Sequence, residues 1–231
     1  MKNYLKNLLC GIMIFGFFFY LANVATATTF SIDTVIGNWE NSVPSSGVTI
    51  TNSNPLSTAR WGTPVSSGQS GYDFLPSVTP FDAESNGTPF ALGTFTHQNW
   101  PITGTFITNI DLSITLADSG IFSSNPTFSF SHNETDNSLS DPRDIVTISN
   151  PIINQLFVYD GKNYYFNLFG FSQDSGQTLS SVFYTNEQES NTAILYARIT
   201  ELPVGTMPEP ATMTLLGFGL LGLAGVTRKR N

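Results

Sequence analysis

The stretch QLFVYDGKNYYFNLFGF, Gln155 to Phe171, decides the fold. Two runs rich in aromatic and β-branched residues flank Asp160-Gly161. An Asp-Gly pair at that place supplies the two left-handed residues of a tight hairpin turn. In the first run Phe157 and Tyr159 fall on one face and Val158 on the other, because side chains alternate along a strand. The sequence therefore predicts two antiparallel strands joined by two residues.

The same pattern spreads outward. TFITNIDLSITL (105–116) places Ile110, Leu112, Ile114 and Leu116 on one face, and Asn109, Asp111, Ser113 and Thr115 on the other. Ile107 and Phe106 break the alternation. TAILYARITE (192–201) sets Ile194, Tyr196 and Arg198 against Leu195, Ala197 and Ile199. Further short runs are GVTIT, ALGTFTH, PTFSFSH, DIVTIS and SSVFYT, separated by Gly, Pro, Asn and Ser. Long amphipathic helices and fixed-period repeats are missing from the pattern. These signals predict an all-β fold, an antiparallel β-sandwich of jelly-roll-like type.

The two ends read differently from the middle. Lys2 and Lys6 precede an apolar run from Leu8 to Leu21, and Ala25 and Ala27 follow at small-residue positions. This is the form of a secretory signal peptide over residues 1–27, cut by signal peptidase after Ala27. Cys10 lies within it, so the expected mature chain has no cysteine and no disulfide. Such a chain must rely on its own core. At the other end, Met213 to Val226 is apolar and Gly-rich, and Arg228, Lys229 and Arg230 follow at once. A basic cluster resists crossing a bilayer and stays inside, which leaves the preceding chain outside. The expected spanning helix covers about 211–227 and inserts transiently. Pro208-Glu209-Pro210 stands before it as an extended, non-helical segment.

This ordered tail resembles the bacterial PEP-CTERM sorting signal over residues 206–231. The resemblance implies that an exosortase-like membrane protease cuts near Pro208, Glu209 and Pro210. The product would then reach the cell envelope or extracellular matrix.

The expected domain is 28–205. Between 28 and 207 sixteen acidic residues stand against four basic ones, Arg60, Arg143, Lys162 and Arg198, giving a net charge near −12. That surface repels nucleic acid and anionic lipid.

Four stretches carry a second resemblance: GNWENS (37–42), ARWGTPVSSGQSGYDF (59–74), FALGTFTHQNWPIT (90–103) and HNETDNSLSDPRDIVTI (132–148). Together they resemble the choice-of-anchor K domain, marked by a Thr-His-x-Asn motif, here Thr96-His97-Gln98-Asn99 followed by Trp100. The resemblance implies architecture and localisation and carries no established activity. We read these residues as structural, fixing a turn and covering one end of the sandwich. The alternative is a rim of His97, Asn99 and Trp100 with the indole stacked on a sugar ring.

Catalysis has little support in the pattern. No GxSxG elbow or phosphate-binding loop occurs, and carboxylate pairs for glycoside hydrolysis cannot be assigned from sequence. The expected mature chain has two histidines, His97 and His132. A zinc site would need carboxylates beside both, and no HExxH spacing exists. No cofactor is expected, with one alternative. Glu134, Asp136, Asp141 and Asp144 form an acidic stretch of oxygen ligands suited to Ca²⁺, although not at EF-hand spacing. The plainer reading is a solvated loop in which Asp141-Pro142 starts a turn and Arg143 pairs locally. The expected function is a non-catalytic structural or adhesive surface protein associated with exopolysaccharide. A carbohydrate-active enzyme or lectin-like module on the same scaffold is the alternative.

Overall fold

The computed structural model describes residues 26–66, 68–117, 126–136, 138–150 and 155–202. The expected signal peptide, apart from its last two residues, and the whole sorting tail lie outside them.

Sixteen strands and no helix occur among the described residues. In chain order they are β1 (Thr29–Ile32), β2 (Thr34–Val43), β3 (Val48–Asn52), β4 (Ser57–Trp61), β5 (Thr63–Pro64), β6 (Gly71–Pro76), β7 (Phe81–Glu84) and β8 (Phe90–Asn99). There follow β9 (Ile102–Thr103), β10 (Asn109–Ala117), β11 (Thr127–Asn133), β12 (Asp144–Ile148), β13 (Gln155–Tyr159), β14 (Lys162–Ser172), β15 (Val182–Thr185) and β16 (Glu189–Glu201). They form a seven-stranded sheet, β13-β14-β16-β8-β6-β4-β3, and a five-stranded sheet, β15-β12-β11-β10-β2. Two short pairs, β1-β7 and β5-β9, complete the fold. Every strand pairing is antiparallel, and one sheet curls into half a barrel.

The predicted hairpin is present as β13-β14, closing at Tyr159 opposite Lys162. Asp160 and Gly161 have φ of 47° and 72°, the two positive values that a right-twisted hairpin turn needs. Phe157 is buried, while Leu156 and Val158 on the other face are exposed. In β10, Ile110, Leu112, Ile114 and Leu116 all point inward. In β16 the inward set is Ala193, Leu195, Ala197 and Ile199.

The irregularity before β10 has a local cause. The strand begins only at Asn109, and its pairing with β2 shifts between Asn109 and Asp111. One residue of β10 there, Ile110, opposes two of β2, Asn41 and Ser42, as in a β-bulge, and Asn41 takes a φ of 52°. Ile107 is buried just ahead of this bulge, and Phe106 is 40 % exposed. Strict alternation does not apply to either.

The core is aromatic and joins the two large sheets. Phe95 of β8 stacks on Phe130 of β11, with centroids 5.5 Å apart and planes at 24°. Trp39 of β2 meets Tyr72 of β6 at 5.7 Å and Phe95 at 5.9 Å. Phe128 of β11 meets Phe166 of β14 at 6.0 Å. Phe74 of β6 fits between two glycines. A Cβ at Gly37 of β2 would lie 2.3 Å from its ring, and one at Gly93 of β8 would lie 2.6 Å away. The bare backbone at those positions lets the sheets close.

Two outcomes check this account of the core and the hairpin. Phe95 contacts Trp39, Tyr72, Phe130, Phe171 and Phe183. Phe95→Ala is expected to lower the unfolding free energy by about 3–5 kcal/mol in denaturant titrations. A loss below about 1 kcal/mol would contradict the central place given to this ring. At Gly161 a Cβ would meet nothing within 4 Å, so strain there is purely conformational. Gly161→Val should cost about 1–2 kcal/mol, whereas Gly161→Asn should be nearly neutral. Equal thermal midpoints for the two variants would rule out the two-residue turn.

Candidate functional site

The Thr-His-x-Asn stretch ends β8, and strand alternation divides it between two faces. His97 and Asn99 point inward and are 0 % and 1 % exposed. Thr96 and Gln98 point outward, where Thr96 Oγ1 lies 3.4 Å from Thr192 Oγ1 and Gln98 donates to Asp73 Oδ2 at 3.0 Å. Trp100 lies half-buried just beyond the strand. Its ring covers Gly68, where a Cβ would approach within 2.3 Å of it. Ser70 Oγ donates to its carbonyl at 2.6 Å and accepts from its N–H at 3.1 Å. His97 and Asn99 therefore share the buried inner face of β8, while Trp100 lies beyond the strand, half-buried.

His97 reaches across the interior to the other sheet. His132 at the end of β11 and Asp144 at the start of β12 approach it there. Their ligating atoms, one from each residue, lie within 4.8 Å of one another. Asp144 is paired with Thr185 of β15, and Thr185 Oγ1 is 2.8 Å from His97 Nδ1. Tyr72 of β6 reaches over to His132 Nδ1 at 2.6 Å. On its other side, His132 Nε2 faces Glu134 Oε2 at 3.1 Å and Asp144 Oδ2 at 3.9 Å. Trp61 stacks on His97 at 6.1 Å, with planes at 24°, and meets His132 edge-on at 5.6 Å. The two imidazoles are 5.1 Å apart, nearly perpendicular. Asn99 closes the corner by donating to Glu187 Oε1 at 2.9 Å.

Three buried atoms in this corner have no hydrogen-bond partner: Trp61 Nε1, His97 Nε2 and Asp144 Oδ2. The other Asp144 oxygen accepts from the Thr135 N–H at 2.8 Å. Burial pushes the Asp144 carboxyl up to about 8, against downward pulls from the Thr135 N–H and the Asn99 side chain and with smaller upward pushes from Glu134 and Glu187. Burial, and then His132, hold His97 well below the ordinary imidazole value. Burial, and then the Asp144 and Glu134 charges, push the Tyr72 hydroxyl well above its ordinary value.

The four acidic residues singled out for calcium are distributed differently. Glu134 and Asp144 turn to His132. Asp136 accepts from the Ser138 N–H at 2.9 Å. Asp141 forms a two-pronged pair with Arg143, both contacts at 2.8 Å, which draws its carboxyl down to about 2. Among the described residues these four do not gather in a ligand group of three or more. Sequence reasoning missed the convergence of His97, His132 and Asp144. His97 lies 35 residues before His132, and only the strand register brings them together.

A separate surface depression is lined by Phe171, Ser172, Gln173, Asp174, Thr178, Ser180, Val182 and Phe183. Asp174 Oδ1 accepts from Ser172 Oγ at 2.7 Å and from the Thr178 N–H at 2.9 Å. Those bonds, the Thr178 N–H first, hold its carboxyl down to about 2.

Residues 208–230 match the model of the PEP-CTERM protein-sorting motif. The motif implies an exported chain, membrane-anchored before an exosortase-like membrane protease processes it. Comparison with curated proteins gave no match.

The Asp174 loop gives a pH test. Its folded pKa is depressed, so the loop's bonding is fully present above the ordinary carboxylate range and is lost as pH falls through about 2. The Thr178 amide proton resonance should titrate with a midpoint near 2. A midpoint near the ordinary value of about 3.9 would contradict the bond.

Proposed function

We propose that the chain is a non-catalytic structural or adhesive protein of the cell surface or extracellular matrix. It is delivered by an exosortase-like protease and built as a β-sandwich of the choice-of-anchor K kind. The observation that carries this reading is the sorting motif at residues 208–230. The signal-peptide pattern before Ala27 supports the same route. The two facing sheets support the sandwich, and the enclosure of His97 and Asn99 supports a structural role for the Thr-His-x-Asn residues. The acidic surface suits contact with a hydrated neutral or cation-bridged exopolysaccharide better than with nucleic acid.

A glycan-binding module is the second reading. The depression beside Asp174 offers hydroxyl, amide and carboxylate groups next to Phe171 and Phe183, the mixture a sugar face requires. Trp100→Ala and Asp174→Ala, titrated against glycans, separate it from the first. Binding by the wild-type chain that one of these variants abolishes would favour the module.

Cell fractionation tests the main reading. In the native host the protein should lack its tail and appear outside the cytoplasmic membrane. Deleting the exosortase, or replacing Pro208-Glu209-Pro210 with alanines, should hold the full-length form in the membrane. Full-length protein in the cytosol of the native host would overturn the proposal.

A further inference from the structure

The corner between the two sheets has the donors, enclosure and support of a metal centre. The argument begins with protons. Thr185 Oγ1 donates to the Asp144 carbonyl at 3.4 Å. With its one proton donated there, it accepts from His97 Nδ1–H at 2.8 Å. His97 is neutral in this arrangement, and its Nε2 is a bare lone pair. That lone pair is fully buried, without a partner, and within 4.8 Å of the His132 and Asp144 donors. A buried acceptor without a donor costs free energy, and so does a buried carboxyl oxygen without a partner. The corner contains one of each, His97 Nε2 and Asp144 Oδ2. No hydrogen bond in the structure meets either atom, and a single cation satisfies both.

The surroundings match what metal-bound histidines need. Such an imidazole is oriented by a hydrogen bond from its second nitrogen. His97 Nδ1 has Thr185 and His132 Nδ1 has Tyr72; His97 Nε2 is free for the ion, and His132 Nε2 would exchange its contact with Glu134 for it. His132 Nε2 lies 3.1 Å from Glu134 Oε2 and 3.9 Å from Asp144 Oδ2. Bonds of about 2.0–2.1 Å at tetrahedral angles put ligand atoms about 3.3 Å apart, so small side-chain rotations close the set. Two nitrogens and two carboxylate oxygens suit a borderline ion and not a hard, oxygen-seeking one.

We propose that His97, His132 and Asp144, with Glu134 as the fourth ligand, bind one divalent first-row transition ion, zinc fitting best, as a structural cross-link. Its position explains its use. His97 belongs to the seven-stranded sheet, and His132 and Asp144 belong to the five-stranded one. The ion ties the sheets at one end, in a domain whose sequence from residue 28 onward contains no cysteine for a disulfide. His97 and Asp144 are 0 % exposed, which fits a closed structural centre without an open reaction position. Glu134, whose side chain is 27 % exposed, is the ligand on the solvent side. This inference is independent of the sorting route.

The test uses the full-length chain in detergent, stripped with chelator and titrated with Zn²⁺, Co²⁺ or Ca²⁺. One Zn²⁺ per chain should bind, and at 100 times Kd the Tm should rise by about 5–10 °C. Bound Co²⁺ should give the intense visible absorption of a tetrahedral site. His97→Gln and Asp144→Asn should weaken zinc binding more than about 100-fold, and Tyr72→Phe by about 10-fold. If the ligand variants do not fold, the wild-type chain decides. Zinc should then shift the Nε2 resonances of His97 and His132 while His97 Nδ1 keeps its proton. Absence of stoichiometric zinc binding, wild-type affinity in both folded ligand variants, or stabilisation by Ca²⁺ equal to that by Zn²⁺ would each overturn the proposal.

Discussion

The contact of two aromatic sheet faces is the constraint on which this molecule depends. Phe95 and Phe130 stack across it, and Trp39, Tyr72, Phe128 and Phe166 extend the contact on either side. Each fully buried large apolar side chain is worth about 1.5–3 kcal/mol of transfer, and edge or offset ring pairs add about 0.5–1.5 kcal/mol. From residue 28 onward the chain has no cysteine, so this contact must do what disulfides do in many secreted domains. It also fixes register. A slip of one residue in any central strand would turn its rings outward, and Phe74 between Gly37 and Gly93 leaves no room for error in how closely the sheets approach.

The same constraint sets the polar corner. Where the aromatic contact ends, β8 continues inward with His97 and Asn99 instead of phenylalanines. β11 likewise passes from Phe128 and Phe130 to His132. The periodicity that built the core thus carries two imidazoles into a buried place, facing Asp144. Trp61 and Tyr72 wall the corner with rings. An enclosed group of titratable side chains costs stability unless its members compensate one another. Thr185, Tyr72 and Thr135 supply part of that compensation by hydrogen bonding.

Much of the fold was legible in the sequence because its signals are local. Asp160-Gly161 between aromatic runs specifies its own turn, and the alternation from Ile110 to Leu116 names its inner face directly. The strand β2 was harder to read. Gly37 and its polar neighbours look like a loop, and only the Phe74 ring explains the glycine. The shift near Asn109 comes from a bulge in the partner strand β2, which the residues of β10 do not encode. The site was legible only in its parts. His97 and His132 stood out as the two histidines of the sequence, and the acidic stretch stood out as oxygen ligands. Arg143 claims Asp141 two residues away, as the local reading expected, and Glu134 lies two residues from His132. Distance along the chain concealed that His97 meets His132 and Asp144, a long-range fact fixed by the pairings of β11 with β12 and β12 with β15.

The central claim is that sheet packing holds His97 neutral, with a proton on Nδ1 and a bare Nε2 aimed into the corner. Long-range proton–nitrogen NMR of the histidines in metal-free protein at neutral pH tests this most directly. The expected spectrum for His97 has a protonated Nδ1 and an Nε2 shift typical of an unprotonated ring nitrogen. A protonated Nε2, or a fully protonated ring at that pH, would contradict it.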